Sequence, residues 1–246
     1  MHILGINSFH ADSSACLIKD GQVVAAAEEE RFRRIKHWAG FPSMAIDYCL
    51  KSANLGICQV DHIAVNQDSA ANLREKVRYS LTHAPDVGLV MDRIRNKRKR
   101  AGIMDLLRAE YPGEEVHAEF HPVEHHLAHL SSAFHCSPFE KATTVSVDGF
   151  GDFASTAWGL GDGKDIELEG RIYFPHSLGI FYQALTQFLG FPNYGDEYKV
   201  MGLASYGTPD YMEEMQQIVM LETDGSFKLD LKYFNHHTKR ISFDWS

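Results

Sequence analysis

His125 and His129 stand four residues apart in Val123-Glu124-His125-His126-Leu127-Ala128-His129-Leu130-Ser131-Ser132-Ala133-Phe134. On an α-helix, residues i and i+4 share a face, so two imidazoles in this arrangement can share one divalent ion. Neutral imidazole suits zinc, iron, nickel or copper. The helix is predicted from Leu127, Leu130 and Phe134, which recur near a 3.6-residue period, and from the helix formers Ala128 and Ala133. His126 points about 100° away on such a helix and reads as a packing residue or one that orients the pair. His117 and His121, expected on a preceding strand, read as structural. Further on, Val145-Ser146-Val147-Asp148-Gly149-Phe150-Gly151-Asp152 reads as a strand ending in a Gly/Asp turn. Such turns can bring backbone N–H groups close to phosphate. A metal pair beside a phosphate-type turn points to phosphoryl or acyl-adenylate chemistry.

The elements that must position these residues alternate between strand and helix. Ile3 to Ile6 and Ser14 to Ile18 are apolar runs separated by the polar turn Asn7 to Asp12. Lys19-Asp20-Gly21-Gln22 is a hairpin signal, and Val23 to Ala27 forms the third strand. Pro42 and Ser43 open a helix that runs to about Lys51. A strand follows at Asp61 to Asn66, then a polar, mostly helical stretch from Asn72 to Arg108, interrupted near Pro85. Val116 to Phe120 leads into the histidine helix.

The plan then recurs. Thr143 to Val147 is a strand, Asp148 to Asp152 a turn and Ala154 to Gly159 a second strand. After the hairpin signal Gly161-Asp162-Gly163-Lys164 come a third strand, Ile166 to Ile172, and a helix, Ser177 to Leu189. Two such units predict a duplicated α/β architecture with a cleft between lobes. Residues 1–121 would form the first lobe, and residues 122–246 the histidine helix and the start of the second.

Composition bounds the function. The 246 residues are 44% apolar and 23% charged, ordinary for a globular chain. No window approaches the ~18 consecutive apolar residues of a membrane-spanning helix. The amino terminus starts as a strand, without the basic flank and long apolar core of a signal peptide. Cys16, Cys49, Cys58 and Cys136 are widely spaced and form no Cys-x-x-Cys pair, which fits a reduced cytoplasm. A formal net charge of −9 argues against general nucleic-acid binding. The basic run Arg93 to Arg100 reads as a solvated helix end or loop, since no interleaved aromatic offers bases a stacking platform. Ile241 to Ser246 is an apolar, strand-like ending without a cap, as expected of a piece of a longer chain.

Six blocks carry a family resemblance: Leu4-Gly5-Ile6-Asn7; His10-Ala11-Asp12-Ser13-Ser14-Ala15-Cys16-Leu17; Glu28-Glu29-Glu30-Arg31-Phe32-Arg33-Arg34-Ile35-Lys36-His37; Glu124 to His129; Val147 to Asp152; and Gly195-Asp196-Glu197-Tyr198-Lys199-Val200-Met201-Gly202-Leu203-Ala204. In this order they resemble the O-carbamoyltransferases of nodulation-factor and antibiotic biosynthesis. The resemblance implies a duplicated actin/hexokinase-like (ribonuclease-H-like) ATPase fold, related to the tRNA threonylcarbamoyl transferases. It also implies that a separate carboxyl-terminal domain makes carbamoyl-adenylate from carbamoyl phosphate and ATP. The amino-terminal part would then pass the carbamoyl group to a hydroxyl of a small-molecule or sugar acceptor. Two motif histidines, here His125 and His129, would hold a divalent metal together with an aspartate far downstream. Fe2+ is the first expectation, Zn2+ and Mn2+ are alternatives, and Mg2+ would accompany ATP. A homodimer is compatible with this picture, and no membrane partner is implied.

Site roles follow by the same resemblance. His10 is the catalytic candidate, a base for the acceptor's hydroxyl proton, although Ala11 and Asp12 stand in swapped order relative to the family motif. An imidazole near its neutral pKa suits that role. Asp12 and Ser13 would set donors near the acyl-phosphate, and an ordinary Asx/Ser turn is the plainer alternative. Arg31, Arg33, Arg34, Lys36 and His37 form a basic cluster, with Arg34 and Lys36 as substrate-binding candidates and a solvated mixed-charge face as the alternative. Asp148, Gly149 and Gly151, with Lys199 and Gly202, would contact the nucleotide, since glycine lets backbone approach a ligand. Phe174-Pro175-His176-Ser177-Leu178-Gly179 reads as a helix entry with Ser177 as its cap. Rival functions are a nucleotide-binding module without catalysis of its own and an N-carbamoyl or threonylcarbamoyl transfer to nucleic acid.

Overall fold

Alternation of apolar and polar side chains sets the first sheet. In the computed structural model, which describes residues 1–83 and 102–238, the chain opens with β1 (His2–Asn7), β2 (Ser14–Lys19) and β3 (Gln22–Glu28). Leu4, Ile6, Ala15, Leu17 and Ala25 of these strands are buried. The Asp20-Gly21 hairpin takes positive φ at both residues, 50° and 80°, as a two-residue turn of that sequence demands. Next come α1 (Glu30–Arg33), α2 (Ser43–Ser52), β4 (His62–Val65), α3 (Leu73–His83), α4 (Ile103–Glu110) and β5 (Glu119–Pro122). The five strands form one mixed sheet in the order β3-β2-β1-β4-β5. Within it β1–β2 and β2–β3 are antiparallel, while β1–β4 and β4–β5 are parallel. The protein is thus an α/β fold with a mixed sheet.

Helix α2 buries Ala45, Ile46, Cys49 and Leu50, one apolar stripe at helical spacing, and Ile103 and Leu107 of α4 join the same core. Ile63 and Val65 of β4 meet them from the sheet. Truncating one of the fully buried Leu or Ile side chains here to Ala would cost about 2–5 kcal/mol.

The remaining elements are α5 (His125–His135), β6 (Lys141–Gly151), β7 (Ala154–Asp162), β8 (Asp165–Tyr173), α6 (Leu178–Phe188), α7 (Glu197–Ala204), α8 (Met212–Ile218), β9 (Val219–Leu221) and β10 (Phe227–Leu229). Strands β6, β7 and β8 form an antiparallel sheet in that order, and β9 pairs with β10. Ser177 caps α6, its hydroxyl accepting the Ile180 amide at 3.1 Å.

Two local expectations need correction. The turn expected at Asp148 to Asp152 is strand as far as Gly151, with a register irregularity between Val147 and Gly151. The reversal itself is Asp152-Phe153, both at positive φ (47° and 78°), where Phe153 packs against the Tyr79 and Phe174 rings. Ring packing stabilises a backbone state that a bulky residue alone disfavours. The strand before the histidine helix is Glu119–Pro122, so His117 precedes it and only His121 lies on it.

The chain divides into two compact units, Met1–Ser69 with Val90–Glu124, and Ala70–Leu89 with His125–Ser246. Helix α3 therefore groups with the second unit, and the later division falls at 124/125, where the sequence expectation was 121/122. Pro85, the basic run Arg93 to Arg100 and the ending Ile241 to Ser246 lie outside the described residues. Among the described residues, no helix is long and apolar enough to cross a membrane.

Candidate functional site

Helix α5 presents His125 and His129 on one face, and strand β6 brings Asp148 against them. His125 Nε2 is 3.0 Å from His129 Nε2 and 2.8 Å from Asp148 Oδ2, and His129 Nε2 is 3.7 Å from the same oxygen. A circle through these three atoms has a radius of about 1.9 Å. Zinc-type bonds to His nitrogen or carboxylate oxygen run ~2.0–2.2 Å, so one ion can reach all three donors. Two imidazoles and a carboxylate also suit iron and related first-row ions. The residues present therefore fit the divalent metal that the histidine spacing implies. Burial alone would raise the Asp148 pKa. Hydrogen bonds from His125, His129 and the Gly149 amide outweigh it and hold the carboxyl well below the usual carboxylate range. Asp148 is thus anionic at neutral pH.

The surroundings explain why this geometry forms. Thr144, Ser146 and Asp148 alternate along β6, so all three face α5. Thr144 Oγ1 lies 3.4 Å from Leu130 O, and fully buried His126 has Nδ1 2.9 Å from Ser146 Oγ. His126 thereby anchors the helix, in keeping with its place off the metal face. Asp152 accepts the His125 amide at 3.0 Å, and a carboxylate at a helix amino terminus is favourable.

Gly151 fits the site for a reason the sequence did not disclose. A Cβ built there would lie 1.9 Å from His125 Cδ2, so the absent side chain makes room for the ligand ring. Gly179 acts similarly, since its Cβ would come within 2.7 Å of the Asp148–Gly149 peptide. The Ser177 hydroxyl lies 3.0 Å from Asp148 O and 2.8 Å from Gly149 O. The amino terminus of α6 thus braces the strand that carries Asp148. Gly149 differs, with nothing within 4 Å of its Cβ position. Asp148, expected at a nucleotide turn, lies against the two histidines, and Gly151, expected there too, packs on the His125 ring. The period-2 alternation of Thr144, Ser146 and Asp148 was the available signal for that placement of Asp148.

In the first unit, the turn after β1 meets the loop after α1. Asp12, at φ 62°, has its carboxylate 2.8 Å from His37 Nδ1, and Glu30 Oε2 accepts the His37 amide at 3.0 Å. Ser13 is fully buried, with Oγ 2.9 Å from both His10 O and Gly40 O while accepting the Gly40 amide at 3.1 Å. Its hydroxyl is spent on joining the two loops, so the expected donor toward an acyl-phosphate is not supplied by Ser13. His10 is half-buried and its Nε2 contacts the Gln67 side-chain amide. Glu30 and Gln67 are thus partners of these candidates that the sequence did not single out.

The basic run divides between interior and solvent. Glu29 is fully buried; it pairs with Arg33 Nε at 2.7 Å and accepts the Met44 and Ala45 amides at 3.3 and 2.8 Å. Arg33 also lies over the Trp38 ring, 4.6 Å from its centroid. Arg31, Arg34 and Lys36 are exposed. Arg33 is therefore structural, while Arg31, Arg34 and Lys36 carry their charge at the surface. In the second unit, Lys199 Nζ pairs with buried Asp196 at 2.6 Å. Gly202 is exposed on α7, with nothing within 4 Å of its Cβ position, so the close approach expected of it is not seen within this unit.

Known proteins resemble this sequence. An uncharacterized protein of Synechocystis, sll1178, is 37% identical over 246 residues, covering 96% of this chain and 40% of that protein. The nodulation protein NolNO of Sinorhizobium fredii is 35% identical over 228 residues, covering 92% of this chain and 32% of that protein. The chain thus spans between about a third and two fifths of the length of these curated relatives. Among solved structures, YeaZ from Pseudomonas aeruginosa aligns with a TM-score of 0.39 at 16% identity, over 69% of this chain and 64% of that one, a likeness too distant to carry an argument. The family described as carbamoyltransferase N-terminus matches residues 2–242, nearly end to end and through the His10 turn, the histidine helix and the Asp148 strand. By that match the chain belongs to the carbamoyltransferase N-terminal family.

Proposed function

We propose that this chain is the carbamoyl-passing part of an O-carbamoyltransferase. It would accept the carbamoyl group from carbamoyl-adenylate, made from carbamoyl phosphate and ATP, and deliver it to a hydroxyl of a small molecule or sugar. The carrying observation is the His125–His129–Asp148 donor triangle in a chain matched by the carbamoyltransferase N-terminus family. The duplicated actin/hexokinase-like fold belongs to the same proposal. It is supported by the repeat of a three-strand antiparallel meander followed by helix, β1–β3 with α1 and α2, then β6–β8 with α6. Cys16, Cys49, Cys58 and Cys136 form no disulfide, which accords with a cytoplasmic setting.

His125, His129 and Asp148 would hold a divalent ion, Fe2+ first among candidates, which would supply Lewis acidity toward a carbonyl or phosphate oxygen. The chain's own residues then have separate tasks. His129, half-exposed beside buried His125, leaves the donor triangle open toward solvent on one side. His10 takes the acceptor's hydroxyl proton as its oxygen attacks the carbamoyl carbon. The bond from that carbon to the adenylate phosphate oxygen breaks, and AMP leaves. Arg34 and Lys36 offer exposed positive charge to the anionic donor, and the Asp12–His37 pair fixes the loop that carries them.

The test supplies the complete protein with isotopically labelled carbamoyl phosphate, ATP, Mg2+ and a panel of hydroxylated acceptors. The expected product is a carbamate ester with one AMP released per transfer. Label on an amine or on nucleic acid would replace this reading with N-transfer. Adenylate binding without any transfer would replace it with a silent nucleotide-binding module.

A further inference from the structure

A second cluster of metal-ligating side chains lies in the first unit, on the sheet face away from the α2 and α4 core. His62 of β4 and Glu119 of β5 are register partners, and His121 follows two residues on, so all three point to one face. Ile63 and Val65, which alternate with His62, are buried on the other. His62 Nδ1 is 2.9 Å from His121 Nε2. Glu119 Oε2 is 3.7 Å from the first nitrogen and 3.9 Å from the second. A circle through the three donor atoms has a radius of about 2.1 Å, within the ~2.0–2.2 Å range of zinc bonds to nitrogen and oxygen.

We propose that His62, Glu119 and His121 form a further binding site for a divalent transition metal of the zinc type. Glu119 Oε2, at 3.7 and 3.9 Å, is beyond direct hydrogen-bond reach of the two imidazole nitrogens, which face each other across 2.9 Å. One cation satisfies all three donors together. Two nitrogens and one carboxylate select Zn2+, Co2+ or Ni2+ over Mg2+ and Ca2+, which take oxygen ligands. The donors are held by paired strands, which fix their spacing better than loops do. Exposure of 30% for His62, 40% for His121 and 70% for Glu119 gives the ion an entry path and a position for water. The site shares no residue with His125, His129 and Asp148 and lies in the other compact unit.

The test counts bound metal in the tag-free chain dialysed against Zn2+, with circular dichroism as the control for folding. The His125→Ala/His129→Ala chain should keep one zinc. Adding His62→Gln and His121→Gln should weaken that zinc by about 100-fold, the order expected when ligands are lost. In wild-type protein, Zn2+ should also shield His62 and His121 from diethyl pyrocarbonate, read by peptide mass spectrometry. Zinc bound equally well after His62→Gln/His121→Gln, or full modification of both histidines at saturating Zn2+, overturns the assignment.

Discussion

Replacing Gly151 by Ala should disable the His125 ligand while leaving every donor atom in the sequence. The added Cβ would lie 1.9 Å from His125 Cδ2 and 2.6 Å from its Nε2, whereas ordinary contact begins near 3.4 Å. The ring must therefore retreat by about 1.5 Å. Metal–ligand distances tolerate only about 0.2 Å, so His125 would drop out of the set and affinity should fall about 100-fold. Overpacking beside a buried ring should also cost about 1–3 kcal/mol of stability. Gly149→Ala is the matched control, two residues away, where the new methyl group meets nothing within 4 Å. Calorimetric titration with Co2+ would read both variants in a His62→Gln/His121→Gln background, and urea unfolding would give the stability change. Equal affinity in the two alanine variants would refute the placement of His125 against Gly151 and, with it, the donor triangle.

His10→Ala in the complete protein should lower carbamoyl transfer by about 10²–10⁴-fold, the scale of general-base loss, with carbamoyl-adenylate formation intact; transfer within a few-fold of wild type would leave His10 only a turn residue. Glu29→Ala should destabilise the first unit by about 3 kcal/mol, because Arg33 and the amides of Met44 and Ala45 lose a buried partner; urea unfolding checks this, and a change below about 1 kcal/mol would contradict it. Burial holds the His176 and His236 imidazoles below the usual histidine pKa. The unfolded chain therefore takes up these protons first, and the stability they contribute is present above about pH 6.5 and lost as pH falls. Thermal midpoints should drop between pH 7.5 and 5.5, and a flat profile would count against neutral burial of the pair. Burial also pushes the Cys49 thiol up to about 11, so iodoacetamide at pH 8 should label exposed Cys58 and Cys136 but not Cys49, as peptide mapping would show.

Local pattern carried much of the architecture. The strand–turn–strand–turn–strand opening, the helix from Ser43 and the histidine helix follow from periodicity and turn residues that act within a few positions. What escaped depends on pairs distant in sequence. Gly149 and Gly151 look alike in the chain, yet only Gly151 faces a ring, brought there by a helix that begins 26 positions earlier at His125. Glu29 sits in a run of three glutamates that reads as a solvated face, but α2 places its amino terminus over that one carboxylate. Asp148 reads as a turn residue until the irregular end of β6 keeps it in register with Ser146, facing the histidines. Ser13 resembles a ligand donor until the 38–40 loop closes on its hydroxyl.

The measurement that bears most directly on the account is carbamoyl transfer by the complete protein carrying Asp148→Asn. The substitution keeps size and shape but removes the charge that His125 and His129 face. Transfer of labelled carbamoyl group to a hydroxyl acceptor should fall by at least about 100-fold, with bound metal lost in parallel and the fold intact by circular dichroism. Wild-type transfer and full metal content in folded Asp148→Asn protein would contradict the claim that this triangle is the transfer centre.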